Sequence, residues 1–187
     1  MKKIYQLLFF VIILLLSKNI VASNSSSYLI SQSAFQNYDF ATVLHEFENN
    51  NSQDTYENSL DNLIASTIIG NFTIANEISK KILLKDPDHQ EAKLILMVDH
   101  LINNEDQNIY KYRLDIDKNK NEFFEYIFFN YYSLKNKSDI SKALIEIVRN
   151  IYSTKNQYLQ TNYNYLLFYS SLALLIDPQN DEARFVK

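Results

Sequence analysis

Apolar residues along the chain fall into helix-length blocks separated by short polar runs. The blocks predict helix pairs at 27–37 with 39–49, 54–69 with 72–85, 89–103 with 106–116, and 121–134 with 138–152. One long helix near 157–176 follows, and then a helix start over 181–187 that has no partner. One Gly (Gly70) and two Pro leave too few breakers for an all-β chain built on tight turns. Two of the helices are aromatic on every side. The first carries Phe123, Phe124, Tyr126, Phe128, Phe129, Tyr131 and Tyr132, and the long one carries Tyr158, Tyr163, Tyr165, Phe168 and Tyr169. A helix that is apolar all round is buried between neighbours. The alternative is that some of these rings line a partner groove, because aromatics dominate interface hot spots.

The N-terminus reads as an address. Met1-Lys2-Lys3 is followed by an unbroken apolar run from Leu7 to Leu16, a polar break at Ser17-Lys18-Asn19, and the small residues Ala22-Ser23. That layout is a secretory signal over residues 1–22, cleaved after Ala22 or Ser23. The run is well short of the roughly 20 apolar residues that span a bilayer, so no stable membrane span is expected after cleavage. Removing the signal leaves 15 basic against 22 acidic residues, a net charge of −7. A surface that acidic disfavours phosphate backbones, and nucleic acid is not an expected partner. The Lys-Lys start and the heavy use of Asn, Ile, Lys, Phe and Tyr suggest an exported bacterial protein, periplasmic or secreted.

Residues 23–187 carry an internal repeat. Asn37-Tyr38-Asp39-Phe40-Ala41 aligns with Asn71-Phe72-Thr73-Ile74-Ala75, the alanines lying 34 residues apart. The same step leads on to Ile109, a mismatch, and to Ala143. A second pattern pairs Asp86-Pro87-Asp88-His89-Gln90-Glu91-Ala92 with Asp177-Pro178-Gln179-Asn180-Asp181-Glu182-Ala183. In each, Pro ends the preceding helix and Glu stands in the first turn of the next, where the helix dipole favours negative charge. These features resemble the tetratricopeptide repeat family. With Pro87 at position 32 of a unit beginning at Tyr56, Gly70 falls at 15 and Ala75 at 20, as in that family. Ser59, Leu63 and Ile82 depart from its pattern. The whole chain resembles the N-terminal part of exported alphaproteobacterial proteins of that family. The resemblance implies an all-α solenoid of about four helical hairpins plus a long helix, incomplete at its C-terminal end.

Catalytic patterns are thin. One Gly cannot write a phosphate-cradling loop, a dinucleotide fingerprint or a nucleophile elbow, and zero Cys removes thiol chemistry and disulfides. His45-Glu46-Phe47-Glu48-Asn49 approaches a helical zinc motif but places Asn49 where the second His belongs. Asp115, Asp117, Asn119 and Asn121 imitate a calcium loop, with Lys120 where Gly and Tyr126 where Glu are required. Asp99-His100 are adjacent on a helix and point about 100° apart, and His89 is expected to be solvated in its Asp-Pro turn. No catalytic residue, metal or cofactor is expected.

The family resemblance implies a concave groove lined by the first helix of each pair. At its groove positions stand Glu57 and Ile64, then Glu91, Leu94 and Val98, then Glu125, Phe128 and Tyr132. Glu57, Glu91 and Glu125 are spaced by 34 and would form an acidic ladder suited to a basic or amine-bearing peptide. Helix-start chemistry alone also accounts for Glu at those places. The expected function is a non-catalytic scaffold of the cell envelope that binds a peptide or helix of a protein partner in this groove. The alternatives are a stacking module or accessory subunit of a larger envelope assembly and, more remotely, a metal-dependent hydrolase.

Overall fold

The computed structural model describes residues 25–49, 56–103, 137–153 and 159–186. The signal segment, the helices expected at 106–116 and 121–134, Ile109 and the imitation calcium loop lie outside the described residues. Every regular element among the described residues is a helix. In chain order these are α1 (25–36), α2 (Phe40–Asn49), α3 (Tyr56–Ile69), α4 (Phe72–Lys85), α5 (Gln90–Ile102), α6 (Lys137–Ser153), α7 (Leu159–Ile176) and α8 (Asp181–Val186). They follow the helices expected from the apolar blocks to within a few residues, so the all-α class stands. The chain divides into two compact units, one ending at Thr55 and one beginning at Tyr56.

In the first unit α1 and α2 form a hairpin whose turn is set by two backbone bonds. Tyr38 N donates to Phe35 O at 3.3 Å and Asp39 N to Ala34 O at 2.9 Å, the double bond of a Schellman cap. Asp39 then caps α2, accepting from Thr42 N at 3.2 Å and from the Thr42 hydroxyl at 2.7 Å. Those bonds to the charged form hold the Asp39 carboxyl below its ordinary pKa. Ala34, Phe40, Val43 and Leu44 are buried, and Phe35 meets Phe40 edge to face at 6.0 Å.

The α3–α4 turn of the second unit repeats this cap. Gly70 N donates to Thr67 O at 3.2 Å, Asn71 N to Ser66 O at 2.8 Å, and the Asn71 side chain accepts from Ile74 N at 3.4 Å. Superposed on these bonds, Tyr38 corresponds to Gly70 and Asp39 to Asn71, an offset of 32 residues and not the expected 34. Val43, fully buried, therefore stands where Ala75 stands, and Ala41 is exposed. The shift arises because the left-handed residue sets the register. Gly70 takes φ +82° without cost, whereas Tyr38 takes φ 61° against the usual steric penalty.

The Asp-Pro pattern, in contrast, repeats as the sequence implied. Asp86 N closes α4 on Ile82 O at 2.8 Å, and Asp177 N closes α7 on Ala173 O at 2.9 Å. The Asp side chain accepts from the residue two places on, Asp88 N at 3.2 Å and Gln179 N at 3.1 Å. The residue three places on caps the next helix: His89 Nδ1 accepts from Ala92 N at 3.4 Å, and Asn180 Oδ1 accepts from Ala183 N at 3.1 Å. Both alanines are fully buried. Helix–turn–helix α4–α5 thus recurs as α7–α8, 91 residues later.

Packing joins α3 to α4, α4 to α5, α6 to α7 and α7 to α8. In addition α7 packs against α3 and α5, which reach it across a long stretch of chain, a departure from strict nearest-neighbour stacking. The buried core runs through Leu63, Ile78, Ile82, Leu94, Leu144, Phe168 and Leu172. No described helix is long and apolar enough to cross a membrane.

At Gly70 a Cβ would meet no neighbour within 4 Å, so only its positive φ resists substitution. Gly70→Ala is therefore expected to lower the unfolding free energy by about 1 kcal/mol, read as a fall in the urea midpoint at unchanged slope.

Candidate functional site: the α3–α5 face under α7

Helical spacing puts Asp61, Ile64 and Ile68 on one face of α3, and Glu91, Leu94 and Val98 on one face of α5. The expected groove positions Ile64, Leu94 and Val98 are closed to solvent, at 2%, 0% and 0% exposure. Burial first, and then the negative charges of Glu91 and Asp61, push the Tyr165 hydroxyl of α7 up to about 12. Tyr169, one turn on and fully buried, is raised well above its ordinary value by burial, then by Glu91 and Tyr165. The two rings stack with centroids 6.4 Å apart, and Phe168 meets Tyr169 edge to face at 5.2 Å. Helix α7 packs on α3 and α5, and the charge of Glu91 acts on both tyrosines of its Tyr165–Tyr169 face. Of the two readings of its aromatic crowding, burial between neighbours holds for this helix.

The remaining expected residues fall as follows. Glu57 stands in the first turn of α3. Glu91 stands in the first turn of α5, its carboxylate 3.3 Å from His89 Nδ1. Glu125, Phe128 and Tyr132 lie outside the described residues. His89 is not solvated as expected. Its side chain is 8% exposed because capping α5 draws the ring against the helix end. Lys93, also buried, reaches back to Asp88 at 3.2 Å. His45 is exposed on α2 and lies 3.2 Å from Asn49 Nδ2, so the near-zinc motif closes on itself as an i, i+4 pair. Among the described residues no three His, Asp or Glu side chains converge as a metal site would need.

Asp61, Tyr165 and Tyr169 were not expected in this site. The Tyr165–Tyr169 spacing is visible in the sequence, but nothing local says that α7 folds back onto α3. On the same two helices, Asn62 Oδ1 of α3 and Asn164 Oδ1, Ser170 Oγ and Ser171 Oγ of α7 are buried without a hydrogen-bond partner. Each such group costs about 1–3 kcal/mol relative to a satisfied one.

A second, polar cleft of about 360 Å³ lies between α6 and the second Asp-Pro turn, lined by Lys142, Glu146, Arg149, Asp181 and Glu182 among others. Arg149 bridges Glu146 on its own helix and Glu182 of α8, the latter at 2.5 Å. Beneath it Asn180 Nδ2 donates to Ser141 Oγ at 2.8 Å, and that hydroxyl donates to Ala173 O at 2.8 Å. These bonds fasten α6 to the turn that joins α7 and α8.

Because Tyr165 ionises later in the folded chain than in the unfolded one, its contribution to stability is complete below pH 10 and is lost as pH rises towards about 12. Glu91→Gln removes one of the charges opposing ionisation. In ultraviolet titration, read as the difference between each protein and its Tyr165→Phe counterpart, the Tyr165 midpoint is expected to move down in Glu91→Gln.

Comparison with known protein families, with curated proteins and with solved structures finds no match to this chain.

Proposed function

We propose that this chain is a non-catalytic protein-interaction scaffold, built of tetratricopeptide-like helical pairs and exported to the cell envelope. The observation that carries the proposal is the twofold use of one helix–turn–helix unit. Asp86 and Asp177 close their helices, accept the same turn bond and are followed by the same side-chain cap and buried alanine. Repeated units of this kind make preformed surfaces that gather residues from several helices, so a ligand bears little of the ordering cost. The ligand proposed is a helix or peptide of a protein partner with basic side chains, recognised through Asp61 and Glu91 at the ends of the α3 and α5 faces. Glu57 stands in the first turn of α3, four residues before Asp61.

A second reading, a stacking module within a larger envelope assembly, is favoured by one observation. Phe185 of α8 is the 91-residue counterpart of Leu94, yet it is 94% exposed where Leu94 is fully buried. A buried counterpart implies that the α8 face is shaped for a neighbour.

The two readings separate in solution. A fluorescent amphipathic helix of Leu and Lys is expected to bind the chain and to lose at least about ten-fold in affinity to Glu57→Lys/Glu91→Lys, with the helical dichroism unchanged. Equal binding by both proteins rejects the groove reading. Concentration-dependent association that Phe185→Ser abolishes would favour the stacking reading.

A further inference from the structure

Helix α4 turns Ala75, Ile78, Ser79 and Ile82 inward, where all four are buried. The C-terminal half of its outer side carries Lys80, Lys81, Leu84 and Lys85, all exposed. Residues spaced by three, four and five positions share one side of a helix, so the three ammonium groups flank the leucine. Leu84 is 85% exposed. A leucine in water is unremarkable on its own, but one set among three cations makes a basic ridge with an apolar tip. Neighbouring carboxylates do not cancel the charge. Glu77, one turn back, offsets at most one lysine, and Asp88 beyond the helix is paired with Lys93 at 3.2 Å. Lys81 and Lys85 also keep interactions of their own, and both remain at the surface.

We infer that this ridge docks on an anionic lipid bilayer, Leu84 entering the boundary between headgroups and acyl chains while Lys80, Lys81 and Lys85 meet lipid phosphates. The shape favours a bilayer over a peptide. The outer side of a helix is convex, so it encloses no ligand and meets a plane with its most protruding side chain. Lysine suits the same place, because its apolar stem lies along the boundary while its charge stays among the headgroups. Each lysine near an anionic leaflet adds attraction, and an inserted leucine adds a part that salt does not remove. The chain as a whole is acidic, with a net charge of −4, and is repelled at long range. That repulsion is screened beyond about 8 Å at physiological ionic strength, so the groups that touch the surface decide. No described helix is long and apolar enough to cross a membrane, and a superficial contact of this kind requires none. The inference is independent of peptide binding, since it uses neither Asp61 nor Glu91.

The chain contains no Cys, so one introduced thiol is labelled at one place. Leu84→Cys carrying a nitrobenzoxadiazole fluorophore puts an apolar, polarity-sensitive probe where the leucine stands. Lys142→Cys, exposed on α6, carries the same probe as the control. All substituted positions are exposed, and circular dichroism confirms each fold. With vesicles of phosphatidylglycerol and phosphatidylcholine, emission at position 84 is expected to rise at least about two-fold, and with phosphatidylcholine alone to stay level. The control is expected to stay level with both. Adding Lys80→Glu and Lys81→Glu is expected to raise the lipid concentration for half-response at position 84 at least about ten-fold. The readout belongs to one position, so adsorption through the apolar N-terminal run does not imitate it. No rise at position 84, an equal rise at position 142, or a response that survives both Lys→Glu substitutions overturns the inference. Binding of poly-L-glutamate without any response to vesicles also overturns it, and assigns the ridge to an acidic polypeptide.

Discussion

Helix α7 is the element on which the other described helices of the second unit converge: it packs against α6, α8, α3 and α5, with Tyr163 and Leu175 left exposed. Phe168, Leu172 and Ala173 are fully buried or nearly so, and Tyr169 is 3% exposed. Burying a side chain of this size contributes about 1.5–3 kcal/mol relative to leaving it in water. A helix with one polar face could not serve all four neighbours. The Asp177-Pro178 turn completes the constraint, ending α7 and returning α8 against it through the Asn180 cap.

The acidic edge and the tyrosine face are consequences of that placement. Glu91 stands at the start of α5, where the helix dipole accepts a negative charge and His89 lies within 3.3 Å. Packing α7 here buries both tyrosines, which is the first reason that they resist ionisation; the charge of Glu91 adds to it for both and that of Asp61 for Tyr165. The arrangement is tolerable because a neutral hydroxyl costs far less to bury than a phenolate would.

How much of this was legible beforehand depends on the range of each interaction. Helix positions were readable because the apolar blocks and the Asp-Pro breaks act within a few residues, and α4, α5 and α7 lie where those signals placed them. The equivalence of the two Asp-Pro turns was readable for the same reason, since Asp, Pro, Glu and Ala act through bonds made inside the turn. Matching the alanines gives the wrong hairpin register, because backbone handedness sets the equivalence and a tyrosine occupies the left-handed position at Tyr38. His89 was misplaced because a capping imidazole reads like any polar turn residue. The covering of Ile64, Leu94 and Val98 was not legible at all. It depends on contacts between elements far apart in the chain, and a buried face and an open groove share one apolar pattern.

That α7 returns to pack on α3 and α5 is tested most directly by the proximity of Asp61 to Tyr165. In the double variant Asp61→Cys/Tyr165→Cys, a short bismaleimide is expected to join the two thiols within one monomer at native conditions and to fail in denaturing urea. Absence of that intramolecular bridge in the folded monomer would contradict the account, since α7 would then lie elsewhere and the α3–α5 face would have another cover.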